Sequence, residues 1–579
     1  MAITPNFILK RLYVKGSLRN TPLGLEFSLR NSIGSGTVTR FRSLEIDGVD
    51  QPTDRLVVLM PDGSLRRVAT HLLDSPLSLT VGVTLTLRLE GVSLEEGKHR
   101  LCLRLETKEL GDLEIDVTDW VGQGMNAAAR IRHSESRAPD LEAPPIRIAI
   151  LGAGSTVFAR QLMADLLCTP GLAQGAFALV DVDAERLDLA HRIGEKLVER
   201  SGRDWTVEAT TDRLRVLSGC DYAINTIEVA GLHNVRPDYE IPLRCGVDQC
   251  IGDTIGPGGV FKMLRTGPTW LEILRDLERL CPGVVVMNYT NPMSALTLLA
   301  LRATRLPVVG LCHSVQGTSR QLANYLGVPY EEMRFRCAGI NHMAWFVELT
   351  HGGEDLYPRL RQVARDPEIY DCDPVRFEAM LYFDAFVTES SGHFSEYVPY
   401  FRKRPDLLTR FTRAGYRGES GYYANNWPRW RTEADETIRA QLAGRSEITL
   451  NRSTEYASYV IEAIETGRPA VIHGNVLNEG LIDNLPTGGC VEVPVLVEGT
   501  GLHPVRFGPL PPQLAALNSS HMYVHELMVQ SVLERDRGAA LQALMLDPLT
   551  AAVCSPDEIR AMFEEMWEAE KADLATFEG

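Results

Sequence analysis

The chain has 579 residues, 44% hydrophobic and 23% charged, the composition of a soluble globular protein too long for one ordinary domain. Its formal net charge of −17 argues against nucleic acid and anionic membranes as partners, because both call for clustered Lys and Arg. No apolar run reaches the length of a membrane span, and the opening "MAITPNFILKRLYVKGS" lacks the apolar core and cleavage site of a secretory signal, so the expected compartment is the cytoplasm.

Residues 1–120 read as β. "LYVKGSLRN", "LGLEFSLRN", "VTRFRSLEIDG", "RLVVLMPDG" and "LTVGVTLTLRLEG" are short alternating runs separated by turn residues, and "HRLCLRLETKELGDLEIDVTDW" reads as a hairpin. The expected domain is a β-sandwich. "GSLRNTPLGLEFSLRN" and "EEGKHRLCLRL" resemble the small β-sandwich subunits of C-glycoside-cleaving enzymes. Residues 121–145 are small, polar and Pro-containing, as a linker would be.

The grammar changes at residue 146. "IRIAILGAGSTVFARQLMADLL" is a buried strand, a glycine turn and an amphipathic helix, and "GAFALVDVDAERLDLAHRIGEKLV" repeats strand then helix. "CDYAINTI", "GVVVMNY" and "PVVGLCH" are further apolar runs of parallel-strand type. The expected fold class is α/β, with a Rossmann-like doubly wound parallel sheet over 146–330 and a mixed, helix-rich α/β portion over 331–579.

The turn "GAGST" places Gly152 and Gly154 in G-x-G spacing ahead of Ser155 and Thr156, where backbone and helix terminus can receive a pyrophosphate. Val157 stands where the usual fingerprint has a third glycine. The next strand ends at Asp181, with Asp183 a second candidate for the ribose hydroxyls. A carboxylate there favours NAD over NADP.

Other strand ends carry polar residues: Asn288 and Asn291 in "MNYTNPMS", Cys312 and His313 in "GLCHSVQ", Asn341 and His342 in "AGINHMAWF". In an open parallel sheet such ends face the ligand crevice, and a thiolate with an imidazole can hold a divalent metal. Taken alone, Cys312 reads as a packed thiol, a nucleophile or a ligand. The eleven cysteines, an odd number scattered over a long chain, fit reduced thiols.

The ordered stretches "IAILGAGSTVF", "VDVDAERL", "DTIGPGGVFKMLRTGP", "NYTNPMS", "GLCHSVQGT", "RCAGINHMAWF", "FVTESSGHFSEYVPYF", "GNVLNEGLIDNLP" and "DPLTAAV" resemble glycoside hydrolase family 4, in its melibiase-type α-galactosidase branch. Cys-His-Ser-Val is the form of that branch, and the β domain is an addition to the family pattern. The resemblance implies an NAD- and Mn²⁺-dependent glycosidase, expected to be a homo-oligomer (dimer or tetramer), acting on a small-molecule glycoside. Oxidation, elimination, water addition and reduction take the place of the usual carboxylate pair. It implies Cys312 and His342 as metal ligands, His313 as general acid and Asn291 as substrate-binding, with Asn288 and Asn341 as secondary contacts. Asp253, in the glycine-rich loop "GDTIGPGG", reads as a turn residue or as a contact to a substrate hydroxyl. For the base, "SSGHFSEYVPY" offers His393, Glu396, Tyr397 and Tyr400. Tyr397 is the expected choice, since a nearby metal would favour a phenolate, and Glu396 is second. The rival readings are an α-galacturonidase, with Lys262 or Arg265 meeting the uronate, and a dehydrogenase that releases NADH.

Overall fold

Alternation of apolar and polar residues decides the N-terminal strands. Leu25, Phe27 and Leu29 share one face of Gly24–Arg30, and Leu101, Leu103 and Leu105 share one face of Gly97–Thr107. In the computed structural model, the described residues are 145–577 and, before them, 12–13, 17–21, 24–30, 36–59, 65–68, 77–79, 84–95, 97–108 and 111–121. The chain divides into two compact units, Met1–Asn126 and Ala127–Gly579.

The first unit is a β-sandwich. Among the described residues one sheet runs Arg19–Thr21, Gly24–Arg30, Thr84–Glu90, Leu56–Leu59, Leu65–Arg67. The other runs Gly111–Val121, Gly97–Thr107, Gly36–Ile46, Val49–Gln51, with Leu77–Leu79 also on Gly36–Ile46. Leu25, Leu56 and Leu87 of the first sheet share one apolar cluster with Leu44, Leu103 and Ile115 of the second. The expected hairpin pairs Gly111 with Thr107 and Val121 with Gly97. Residues 14–16 of the "LYVKGSLRN" run and most of the linker expected at 121–145 lie outside the described residues.

The second unit is built on one sheet. Its strands are β1 (Ile146–Leu151), β2 (Gln174–Val180), β3 (Asp204–Thr210), β4 (Tyr222–Asn225), β5 (Val285–Asn288), β6 (Val308–Leu311), β7 (Met333–Ile340), β8 (Met343–His351), β9 (Glu354–Asp355), β10 (Phe386–Val387), β11 (Ala470–Leu477), β12 (Cys490–Glu498) and β13 (Gly501–Pro504). The order is β3-β2-β1-β4-β5-β6-β11-β12-β7-β8-β9, with β10 on β8 and β13 on β12. The first six are parallel, in the doubly wound order 3-2-1-4-5-6. From β6 onward pairing is antiparallel. The C-terminal portion therefore makes no sheet of its own. β11 pairs along the edge that β6 would otherwise leave open. One core runs through both portions, from Ile148 and Val309 to Trp345 and Met562.

Register fixes where the functional residues emerge. Leu151 pairs with Val180 and with Asn225, Asn225 with Asn288, and Asn288 with Gly310. The residues that follow each strand thus leave the sheet along one edge. The helices of this unit include α1 (Thr156–Leu167), α2 (Ala184–Ser201), α3 (Gly256–Leu280), α4 (Ser314–Leu326), α5 (Ser391–Tyr397) and α6 (Tyr422–Leu442). No helix among the described residues is long and apolar enough to cross a membrane, and all eleven cysteines are free.

Candidate active site

The glycine turn is a cradle that any side chain would fill. Gly152 has φ +82°, and a Cβ there would stand 2.6 Å from the Thr226 carbonyl. A Cβ on Gly154 would stand 2.6 Å from Asp181 Oδ2, which accepts from the Gly154 N–H at 2.7 Å. Asp181 Oδ1 accepts from the Asp183 N–H at 2.9 Å, and Asp183 caps α2 through the Glu185 and Arg186 N–H groups. Gly152, Gly154, Ser155, Thr156, Asp181 and Asp183 all line a cavity of about 450 Å³. Its far wall is α6, with Trp427, Trp430 and Arg431. Arg431 is 3.8 Å from Asp183, while Arg186 donates to the Gly154 carbonyl at 2.7 Å and faces Asp435 at 3.2 Å. A bared glycine turn ahead of a helix N-terminus, with carboxylates at the next strand end, fits a dinucleotide.

A second cavity of about 530 Å³ continues from the first, for Phe158, Asp253, Tyr289, Asn291 and Tyr423 line both. Three donor groups converge in it: Cys312 at the end of β6, His342 in the β7–β8 turn, and Glu389 between β10 and α5. Glu389 Oε2 is 4.0 Å from Cys312 Sγ and 3.8 Å from His342 Nε2. The three ligand atoms lie within 4.8 Å of one another, the one such group among the described residues. Two donors on one tetrahedral metal ion stand about 3.6 Å apart at ordinary bond lengths, so this set fits a divalent cation. Burial pushes the His342 imidazole down to about 4, with the His393 charge adding to the effect, which keeps a ligand nitrogen free. Burial, with Glu389 and Glu492 adding to it, pushes the Cys312 thiol well above its ordinary value, so a thiolate there needs a cation beside it.

Around this group stand the remaining titratable residues. Burial would raise the Asp253 carboxyl, but Lys262, His393 and bonds from Thr254 and Asn291 hold it at about 2. Asn291 Nδ2 donates to Asp253 Oδ2 at 3.0 Å. Lys262 is buried, 2.8 Å from Glu228 and 3.6 Å from Asp253. His313 is open to the cavity, its side chain 68% exposed, with Nδ1 3.6 Å from Glu455. His393 Nδ1 lies 3.1 Å from Ser390 Oγ and 3.4 Å from Glu389 Oε1, and its ring is 4.5 Å from that of His342.

Cys312, His342, His313 and Asn291, expected from sequence to meet, do line one cavity. Tyr397 does not join them. Its ring packs 5.0 Å from His521 and 6.4 Å from His342, and its hydroxyl is buried without a partner. Burial pushes that phenol well above its ordinary value, and the Asp253, Glu396 and Glu389 charges add to this. His393, one turn earlier on α5, takes the cavity wall instead. Glu396 does not line the cavity either: it accepts from the Cys250, Ile251 and Gly252 N–H groups at 2.6, 2.5 and 3.0 Å and so anchors the loop before α3. Asn288 is fully buried, held by Asn225 and Thr290, and shapes the turn ahead of Asn291. Glu389, Glu455 and the α6 aromatics were not singled out in the sequence. The signals available were the Glu389–His393 spacing of four and the Trp427–Trp430 spacing of three on a helix.

Residues 147–328 match the family model described as "Family 4 glycosyl hydrolase", and 337–550 match "Family 4 glycosyl hydrolase C-terminal domain". Residues 8–122, in the β unit, match a model described as "Hydroxymethylglutaryl-CoA reductase, N-terminal domain". An α-galactosidase of Bacillus subtilis (strain 168) is 39% identical over 429 residues, covering 73% of this chain and 98% of the relative. One from Rhizobium meliloti (strain 1021) is 37% identical over 438 residues, covering 72% and 87%. The solved 6-phospho-alpha-glucosidase from gut microorganisms, in complex with NAD and Mn²⁺, superposes with a TM-score of 0.63 at 22% identity, over 74% of this chain and 99% of the other, and so shares the fold. With both halves of the second unit matched and a relative covered almost end to end, the chain belongs to the family 4 glycosyl hydrolases.

Proposed function

We propose that this protein hydrolyses α-galactosides, with NAD in the first cavity and a divalent cation, Mn²⁺, held in the second by Cys312 and His342. The observation that carries the reading is the shared wall of Asp253, Tyr289 and Asn291, across which a glycine-turn cradle opens onto a thiol–imidazole–carboxylate group. NAD, when bound, supplies an acceptor for a sugar hydride and gives it back to the same carbon, while the cation supplies Lewis acidity that makes the neighbouring C–H acidic.

The chain's own residues supply proton transfer and orientation. His393 removes the proton from C2 through Nε2, because Nδ1 is engaged by Ser390 and Glu389. His313 protonates the leaving oxygen, and Glu455 at 3.6 Å orients its ring. Asn291 and Asp253 hold sugar hydroxyls, while Tyr289, Tyr416 and Tyr423 wall the cavity. NAD is favoured over NADP because Asp181 and Asp183 line the cradle and would repel a 2′-phosphate, while Arg186 is engaged by Asp435.

A galactoside is favoured over a galacturonide on charge. A uronate needs a cation near C6, yet among the described residues no Lys or Arg lines the second cavity. Arg265 is buried between Asp238 and Glu570, and Lys262 is held by Glu228 and Asp253. The same reading sets the protein in the cytoplasm, supported by eleven free cysteines, and as a homo-oligomer covering exposed apolar side chains such as Val471 and Tyr523.

The test is a side-by-side assay of aryl α-galactoside and aryl α-galacturonide with NAD⁺, Mn²⁺ and thiol. The expected result is galactoside cleavage that needs both additives and accumulates no NADH. A preference for the galacturonide would replace the substrate assignment. NADH released mole for mole with product would make the protein a dehydrogenase.

A further inference from the structure

Glu389 is where three independent features meet. Its Oε2 faces Cys312 Sγ at 4.0 Å and His342 Nε2 at 3.8 Å, although these three residues come from different elements. Its backbone is left-handed, φ +74°, and so is that of His342, φ +60°. Non-glycine residues rarely adopt this conformation, and it aims both side chains inward from tight turns. Finally, the ion-pair partners of this largely buried carboxylate are two imidazoles, His342 and His393, which carry charge only when protonated. Among the described residues no Lys or Arg pairs with it. Arg376 acts on this carboxylate only from beyond pairing distance, and a cation beside it would give it a direct counter-charge.

We propose that Glu389 is a third protein ligand of the divalent cation, beside Cys312 and His342. The inference rests on the metal reading given above and adds to it. A thiolate and a carboxylate together carry −2 and balance a divalent ion, whereas a thiolate and a neutral imidazole alone leave one positive charge in a buried site. A carboxylate oxygen also hardens the donor set and suits Mn²⁺, which prefers oxygen ligands more than Zn²⁺ does. Its other oxygen, Oε1, stays 3.4 Å from His393 Nδ1, so a single side chain would connect the cation to the proposed base.

The experiment titrates the full-length, metal-stripped protein with Mn²⁺, reading free ion from its paramagnetic resonance signal, and with Co²⁺, whose charge-transfer absorption reports a bound thiolate. Wild type, Glu389→Gln, Glu389→Asp and Cys312→Ser are compared after thermal unfolding confirms that each is folded. Glu389→Gln should weaken Mn²⁺ binding by about ten- to a hundredfold while keeping the cobalt–thiolate band. Cys312→Ser should lose the band. Wild-type Mn²⁺ affinity in Glu389→Gln, with Cys312→Ser deficient, would overturn the third-ligand assignment and leave the Cys312–His342 site standing. A wild type that binds neither ion would overturn both readings. Should Glu389→Gln not fold, Glu389→Asp decides: the withdrawn carboxylate should weaken Mn²⁺ binding, and unchanged affinity would refute the proposal.

Discussion

Removal of one oxygen atom separates the two candidates for the base. Tyr397→Phe keeps the ring that packs against His521 and deletes a hydroxyl that is buried and bonded to nothing. An unpaired buried polar group costs about 1–3 kcal/mol, so the substitution should be neutral to stabilising by up to that amount. In a unit of this size that corresponds to a rise in melting temperature of about a few degrees. Turnover should stay within about twofold of wild type, since the hydroxyl does not reach the cavity. His393→Gln removes the imidazole that does reach it and should cost about 10²- to 10⁴-fold in kcat, the usual worth of a positioned general base. The assay is steady-state cleavage of an aryl α-galactoside with NAD⁺ and Mn²⁺, beside thermal unfolding of the same preparations. Loss of more than about a hundredfold in a folded Tyr397→Phe, with His393→Gln active, would return the base to Tyr397 and refute the argument from burial.

Three further outcomes are expected. Gly154→Ala forces a Cβ to 2.6 Å from Asp181 Oδ2, breaking a charge-assisted bond worth about 1.5–3 kcal/mol; the melting temperature should fall and NAD affinity drop about tenfold or more by calorimetry, while Mn²⁺ binding persists. Glu492 is fully buried with both oxygens unpartnered, and burial pushes it up to about 8. A folded value raised above the unfolded one gives stability that is complete below pH 4.5 and is lost as pH rises through 8, so Glu492→Gln should raise the melting temperature at pH 8.5, by the equivalent of a few kcal/mol at most, and leave it nearly unchanged at pH 4.5. A protein beginning at Pro145 should retain metal-dependent cleavage, because every proposed site residue lies in the second unit; a folded truncation that binds NAD yet cannot cleave would contradict this.

What the sequence made legible follows the parallel sheet. Strand ends in such a sheet share one edge, so Gly152, Asp181, Asn291 and Cys312 could be placed together from short apolar runs and the polar residues after them. His342 belonged to the same inference, though it arrives through an antiparallel hairpin turn. The residue proposed as base was not legible. His393 and Tyr397 lie one helical turn apart in the same short helix, and which of them reaches the cavity depends on how α5 docks, which no local pattern encodes. Arg265 looked available for a uronate until its partners appeared, and one of them, Glu570, lies 305 residues away. The sharing of one sheet by both halves was equally hidden, because an antiparallel strand such as β11 differs little in composition from a buried parallel one.

The central claim is that cleavage proceeds through removal of the C2 proton within a closed redox cycle. The most direct measurement is to run α-galactoside cleavage in D₂O with catalytic NAD⁺ and Mn²⁺ and to read the released sugar by NMR and the solution by NADH absorbance. The account predicts deuterium at C2 of the product and no accumulation of NADH. Product that carries no deuterium at C2, formed at the normal rate, would contradict it.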